Sequence, residues 1–371
     1  MSDKKLTHIV GTFLIQAEGA FLNGAGLGAG EDRTTTVPKM FTDFKDRVPY
    51  VSAQAWKRWL RETFQEENPE EPAAELVQIG ISKKGTTAKI GTEMDPVVYA
   101  EDDIFGYMRA EKGQGRIAAE EGEGAEEEFD IEEAETTSKE KGKEKVAAVM
   151  RAAPFAASIL ASLRKSGWEG TDKGYVHLKE GTPLPYTTRF YNTQLQGVFG
   201  LNYERLGMFR NEGDRIELDR PLVNKYLKEG KIQKTDASRD IYEMVTNPRK
   251  DRATKILKSL AVLRGGAKQA AFATDVAPKV VILAGLSCGN LIFNDLFEDT
   301  KDGPKLKLDT LKEVITDYAE RIITSVFIGV RTGYLHPDSE KELREWTAHQ
   351  SEKVVLTTPI QAVAQMTEAL P

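Results

Sequence analysis

The stretch RVPYVSAQAWKRWLR gathers the residues best suited to chemistry: Ser52, Gln54, Lys57, Arg58 and Arg61. They fall within about three turns of a helix. Lys57 and Arg61 are four residues apart and share one side. Ser52 and Gln54 sit at the N-terminal end, where backbone N–H groups lack intrahelical partners and the dipole is positive. Hydroxyl, amide and cationic donors in that order suit consecutive phosphates. Taken alone, an amphipathic helix with a solvated polar face is the simpler reading. The glycine loop just upstream adds weight to the phosphate reading. Gly24, Gly26, Gly28 and Gly30 give GxGxGxG. That pattern is neither the dinucleotide GxGxxG nor a Walker loop, because no GK[ST] follows. It reads as a surface loop, or as one whose backbone approaches a phosphate chain beside Arg33 and Lys39.

Other chemistries find little support. His8, His177, His336 and His349 are scattered with no i, i+4 pair, so HExxH-type metal chemistry is absent, as is GxSxG. Asp102, Asp103 and the acids from Glu120 onward read as solvated or capping carboxylates. Asp32, in the loop after the first strand, reads as a turn residue. The single cysteine, Cys288, excludes an intramolecular disulfide.

These residues need elements to position them. Residues 6–17 alternate as a strand, with Ile9, Phe13, Ile15 and Ala17 on one face and Val10 and Leu14 on the other. Apolar residues on both faces place it inside a sheet. Ser52 caps a helix to about residue 65, with Trp56, Trp59, Leu60 and Phe64 as its apolar stripe. Short strands are expected at 76–81 and 97–100. Residues 163–188 carry Gly167, Gly170, Gly174, Gly181, Pro183 and Pro185, which is hairpin chemistry. A strand over 190–203 puts Tyr191, Leu195, Phe199, Leu201 and Tyr203 on one face. A helix over 251–264 stops at Gly265-Gly266. Residues 279–286 form a buried strand. TLKE at 310–313 opens a helix to about residue 327, and SEKE at 339–342 opens another. Strand, helix and strand near both ends predict an α+β fold with a ferredoxin-like or RRM-like core and insertions.

The chain has 371 residues, 40% hydrophobic and 29% charged, which is a globular balance. No apolar run is long enough to span a bilayer and no signal peptide is read, so a cytoplasmic protein with no membrane contact is expected. The net charge of −7 argues weakly against nucleic acid, because ten acids and no base lie between Glu120 and Glu135. Without those ten, 51 bases face 48 acids, a net +3. The segment from about 102 to 145 is expected to be a partly mobile insertion.

The chain resembles the DevR-type (Cst-like) branch of the Cas-seven family, the backbone subunits of type I CRISPR Cascade complexes, with subtype I-B indicated. The resemblance rests on Leu22-Asn23, the loop ending in Lys39, the PYVSAQAWKRWLR helix, EDDIFGYM at 101–108, YNTQLQGVFGLN at 191–202 and GGAKQAAFATDVAPKVVI at 265–282. It implies a non-catalytic protein, without cofactor or metal, that binds crRNA through an RRM-like palm. The palm would comprise residues 1–76, 146–157 and 194–371, with a helical fingers insertion at 77–145 and a β-hairpin thumb at 158–193. Copies would stack head to tail along the guide, beside Cas-five-like, Cas-six-like, large and small subunits, and present it to a target DNA strand. Carried over by motif, the guide contacts are Asn23, Lys39, Ser52, Gln54, Lys57, Arg58, Arg61, Gly265, Gly266 and Lys268. Trp168, Tyr175, Leu184 and Tyr186 are the thumb's wedge candidates. The rival is a metal-dependent target-RNA endonuclease of the type III kind, using Asp32.

Overall fold

The structure, a computed structural model, describes residues 4–26, 35–75, 77–81, 88–109, 149–213, 215–350 and 353–371. Strand β1 (His8–Ala20) leads through Thr35–Thr36 to the hairpin of β2 (Met40–Asp43) and β3 (Asp46–Val51), then to helix α1 (Ala53–Glu67). Helix α2 (Ala100–Phe105) lies in the insertion. Strands β4 (Leu160–Ser162), β5 (Glu169–Val176) and β6 (Leu184–Asn202) follow. The chain closes with α3 (Arg249–Ala261), β7 (Val280–Leu286), β8 (Val326–Val330), β9 (Val354–Thr357) and α4 (Pro359–Glu368).

The result is a mixed α/β architecture around one large sheet, ordered β9-β8-β7-β1-β6-β4-β3-β2. Only β8 and β9 run parallel along that path. At its centre, β7-β1-β6-β4 is built in chain order as strand, helix, strand, strand, helix, strand, with β1 pairing antiparallel to β6 and β7. The N-terminal strand β1 is therefore flanked on both sides by strands from the second half of the chain.

The two faces of β1 separate as its alternation predicts. Ile9, Phe13, Ile15 and Ala17 join a core with α1, α3 and α4, while Val10 and Leu14 join the core of the opposite face. In the first core the Phe13 ring meets Trp56 of α1 edge-on at 5.4 Å. Gly11 permits the close approach of β6, since a Cβ there would lie 2.6 Å from the Phe199 ring. Phe199 shares its face of β6 with Tyr191, Leu195 and Leu201, all buried.

Several expectations need correction. The helix expected from 310 to 327 spans Leu308–Asp317 and starts at Lys307 without a side-chain cap, so TLKE is not its capping box. Residues 326–330 are the buried strand β8. Residues 97–99 form a turn into α2 rather than a strand. Of residues 77–145, the structure describes Val77–Ile81 paired with Ala88–Gly91, helix α2, and Tyr107–Arg109 paired with Val149–Arg151; residues 110–145 lie outside the described residues. A small sheet of Met208–Arg210, Ile232–Lys234 and Ile241–Met244, missed in the sequence, packs Phe209 and Tyr242 with Val97 and with Tyr226 of the helix Arg220–Lys228. Residues 27–34, with Asp32 and Arg33, and the acidic run 120–135 lie outside the described residues.

Candidate nucleic-acid interface

Asn23 organises one end of the sheet. Its side chain is buried, and its Oδ1 accepts from the Ser52 amide at 3.0 Å. Its carbonyl accepts from Lys39 N–H at 2.8 Å, and the Lys39 carbonyl accepts from Tyr50 N–H at 3.1 Å. One asparagine thus fixes Lys39 beside the start of α1, acting as a brace rather than an exposed donor. Ser52 is the N-cap, as its sequence position predicts, with Ala55 N–H donating to its Oγ at 3.3 Å. No acid occupies the first turn of α1. The loop's entry is held by Leu22 N–H, which donates to the Tyr191 hydroxyl at 3.0 Å. Burial pushes that hydroxyl's pKa well up, so it stays a neutral anchor.

A second segment, 264–273, closes on the same spot. Gly265 and Gly266 have φ of 137° and 108°, a region that favours glycine. A Cβ on Gly265 would collide with Trp59 of α1, and one on Gly266 would sit 2.5 Å from Leu22. Ala267 N–H donates to the Leu22 carbonyl at 2.8 Å. The two glycines therefore bring backbone against the loop. Lys268, itself left-handed at φ 52°, donates from Nζ to the Thr188 hydroxyl at 2.9 Å and lies 5.0 Å over the Phe21 ring.

Thr188 belongs to a third segment, the base of a hairpin. β5 and the first part of β6 pair from Glu169↔Tyr191 out to Val176↔Leu184. Thr35–Thr36 runs parallel to Thr187 and Thr188, and Phe190 meets Phe272 at 5.7 Å. Residues 23, 39, 52, 188, 265, 266 and 268 thus converge on one platform. The glycine motif and α1 hinted at this from sequence. The Thr188 and Phe190 contacts carried no sequence signal.

The cations of α1 are divided among its sides. Trp59 and Thr63 face the 264–273 segment, with Arg264 N–H donating to Thr63 Oγ1 at 3.0 Å. Gln54 and Arg58 are exposed, and Arg58 pairs with Glu62 at 2.9 Å. Arg61 turns toward α2, 3.6 Å from the buried Glu101 and 5.0 Å over the Phe105 ring. Burial raises the Glu101 carboxyl, and Arg61 opposes the rise. Lys57, one turn before Arg61, has no ion pair among the described residues.

The wedge candidates also separate. Trp168 is 2% exposed, donates from Nε1 to the Arg47 carbonyl at 2.9 Å and packs on Tyr191. It is core at the hairpin base, which removes it from a wedging role. Tyr175, Leu184 and Tyr186 are exposed on the projecting part. By the two-residue period, Leu184 and Tyr186 share the face of Thr188 and Phe190, the face that rests on Lys268 and Phe272. Tyr175, opposite Pro185, lies on the other face.

Asp102 and Asp103 are fully buried, not solvated as expected. Asp103 pairs with Arg151 and with Arg252 of α3, and accepts from Gly207 N–H at 2.8 Å. Arg151 also reaches Glu217 at 3.3 Å, and Arg205 lies 2.5 Å from Glu217. These pairs weld α2 to α3 and to the small sheet. Among the described residues no group of three or more His, Cys, Asp or Glu could hold a metal, and no helix is long and apolar enough to cross a membrane.

No family model and no curated protein matches the sequence. Solved structures similar to this chain include a chain of a CRISPR RNA-guided surveillance complex in a pre-nicking state, at 11% identity and a TM-score of 0.48, covering 98% of this chain and 100% of that one. A second is a chain of a CRISPR RNA-guided surveillance complex, at 13% identity and a TM-score of 0.37, covering 85% and 83%. A third is a chain of the type III-B Cmr-β complex bound to cognate target RNA, at 13% identity and a TM-score of 0.29, covering 55% of this chain and 50% of that one.

Proposed function

We propose that this chain is a non-catalytic, crRNA-binding backbone subunit of a type I CRISPR surveillance complex. Copies of it line the guide head to tail and present it for pairing with target DNA. The observation that carries the reading is the convergent platform at the foot of a projecting hairpin. There the N-terminal end of α1, Asn23 with Lys39, and the Gly265–Lys268 turn bring a helix N-terminus, the Ser52 and Thr188 hydroxyls and the Lys39 and Lys268 cations together. Such a surface holds phosphates and reads no sequence, which suits a subunit whose specificity comes from base pairing. The motif resemblance agrees with it. The β7-β1-β6-β4 core with α1 and α3 is then the RRM-like palm, the segment around α2 the root of the fingers, and the β5–β6 hairpin the thumb. Leu184 and Tyr186, on the platform side, are its wedge.

Copurification of the tagged chain with the products of neighbouring genes, followed by sequencing of bound RNA, tests this directly. Repeat-derived guide RNA in the complex is the expected result. A complex from such cells whose 260 to 280 nm absorbance ratio is that of protein alone sinks the reading. Incubation of the complex with complementary RNA, with and without magnesium, should show no cleavage. Magnesium-dependent cuts lost in Asp32→Ala would favour the endonuclease instead.

A further inference from the structure

The β2–β3 hairpin carries a feature that folding does not explain. Its two-residue turn, between Asp43 and Asp46, holds Phe44 at φ 59° and 98% exposed. A two-residue turn with only its first central residue at positive φ favours Gly there, because a bulky side chain at positive φ is strained. Phe44 therefore stands where the local backbone disfavours it and buries almost none of its ring. Behind it on the same hairpin, Phe41 is 37% exposed and meets Tyr50 at 5.8 Å. Lys45 adjoins it and Arg47 follows after Asp46; both cations are exposed and neither has an ion pair among the described residues, while Asp43 on the other side of the ring is paired with Lys165 at 2.7 Å. The two roots of the hairpin are Lys39 and Ser52, which Asn23 holds together.

We infer that this turn is a second single-strand contact, in which Phe44 stacks on an unpaired base while Lys45 and Arg47 meet the flanking phosphates. The inference rests on the RNA-binding reading above and extends it outward. Four strand residues span about 13 Å, so Phe44 meets the strand some nucleotides beyond the platform. A single protruding ring followed by two unpaired cations, with its Asp43 neighbour already neutralised by Lys165, fits a base and its phosphates better than the broad apolar patch that a second copy of the chain would need. Stacking tolerates any base, in keeping with a guide of arbitrary sequence.

Anisotropy titrations with a long oligouridylate, and with an abasic oligomer of the same length, test it on the full chain. Phe44→Ala should weaken oligouridylate binding by about 5- to 100-fold without changing the salt slope, and Phe44→Trp should restore it. On the abasic oligomer the same substitution should change nothing. Phe44→Gly, which suits a turn with its first central residue at positive φ, should lose binding while its melting temperature holds or rises, so that unfolding cannot account for the loss. If the parent binds oligouridylate and Phe44→Ala binds it equally, the inference is overturned and the RNA-binding reading stands. Smaller RNA-free particles on sedimentation of Phe44→Ala, with unchanged affinity, would also overturn it in favour of a contact between copies. If the parent binds neither oligomer, both readings fall.

Discussion

Arg58 and Arg61 are three residues apart on α1, yet the structure gives them different work. Arg58 is exposed, and its pair with Glu62 is an i, i+4 surface pair worth about 0.3–0.5 kcal/mol. Arg58→Ala should leave stability within about 0.5 kcal/mol while lowering the salt slope of RNA binding by about 0.7 for the lost phosphate contact. Arg61→Ala removes the cation facing the buried Glu101. It should cost about 1 kcal/mol at neutral pH. Burial raises the folded-state pKa of Glu101, so this group's contribution is present below its unfolded value of about 4.3 and is lost as pH rises through the folded value. Without Arg61 the rise is larger, so the cost of the substitution should fade as pH falls toward about 4. Urea unfolding of both variants across pH separates these roles. An Arg61→Ala cost that stays constant from neutral to acid pH would show that Glu101 is not its partner in stability. Sequence placed both arginines on a polar face. It could not show that the side holding Arg61 abuts α2, whose Glu101 comes from a distant stretch of chain.

At the scale of elements, what was legible depended on how local its cause is. Strand β1, helix α1, strand β6, helix α3 and strand β7 carry their own periods, and α1 its own cap. The Gly and Pro residues at 163–188 marked a hairpin, and β5 pairs with β6 there. The expected helix over 310–327 failed because its end is set by tertiary context. Residues 326–330 are drawn into the sheet between β7 and β9, and no Gly or Pro marks the break. The hairpin yields a prediction that its sequence alone could not. Gly174 leaves room for the Tyr186 ring, since a Cβ there would lie 2.5 Å from its Cζ. Tyr186 thus lies across its partner strand on the platform face, whereas Tyr175 points to the opposite face. Tyr186→Ala should weaken RNA binding, and Tyr175→Ala should not. Replacing 173–187 by a short Gly-Ser turn keeps the Thr188 and Phe190 anchors. It should leave a folded chain that binds short RNA but loses regular spacing along a long guide in electron micrographs. An unchanged filament spacing in that variant would remove the hairpin from the assembly.

Over the whole molecule, charge is distributed in two opposed ways. Inside, Asp103, Arg151, Arg252, Glu217 and Arg205 form a buried set drawn from residues 103 to 252. No local pattern could reveal it, since each partner is remote in sequence. Asp103→Asn leaves two buried guanidinium groups short of a carboxylate and should cost about 3–5 kcal/mol, read by urea denaturation. A loss under about 1 kcal/mol would mean that Glu217 beside Arg151 and the Pro96 carbonyl on Arg252 suffice to hold them. In the sequence as a whole, the ten acids of residues 120–135 set the sign of the net charge, −7, in a chain that is otherwise +3. Field at a distance depends on that sum, whereas contact energy depends on the platform alone. Deleting 120–135 should therefore speed association with single-stranded RNA several-fold at low ionic strength and leave the dissociation rate nearly unchanged. The gain should vanish in high salt, where the Debye length shrinks to about 3 Å at 1 M. Stopped-flow binding at two salt concentrations measures both rates. A deletion that slows association at low salt, or that changes dissociation at high salt, would mean that these acids touch the RNA-binding surface instead of acting through the field.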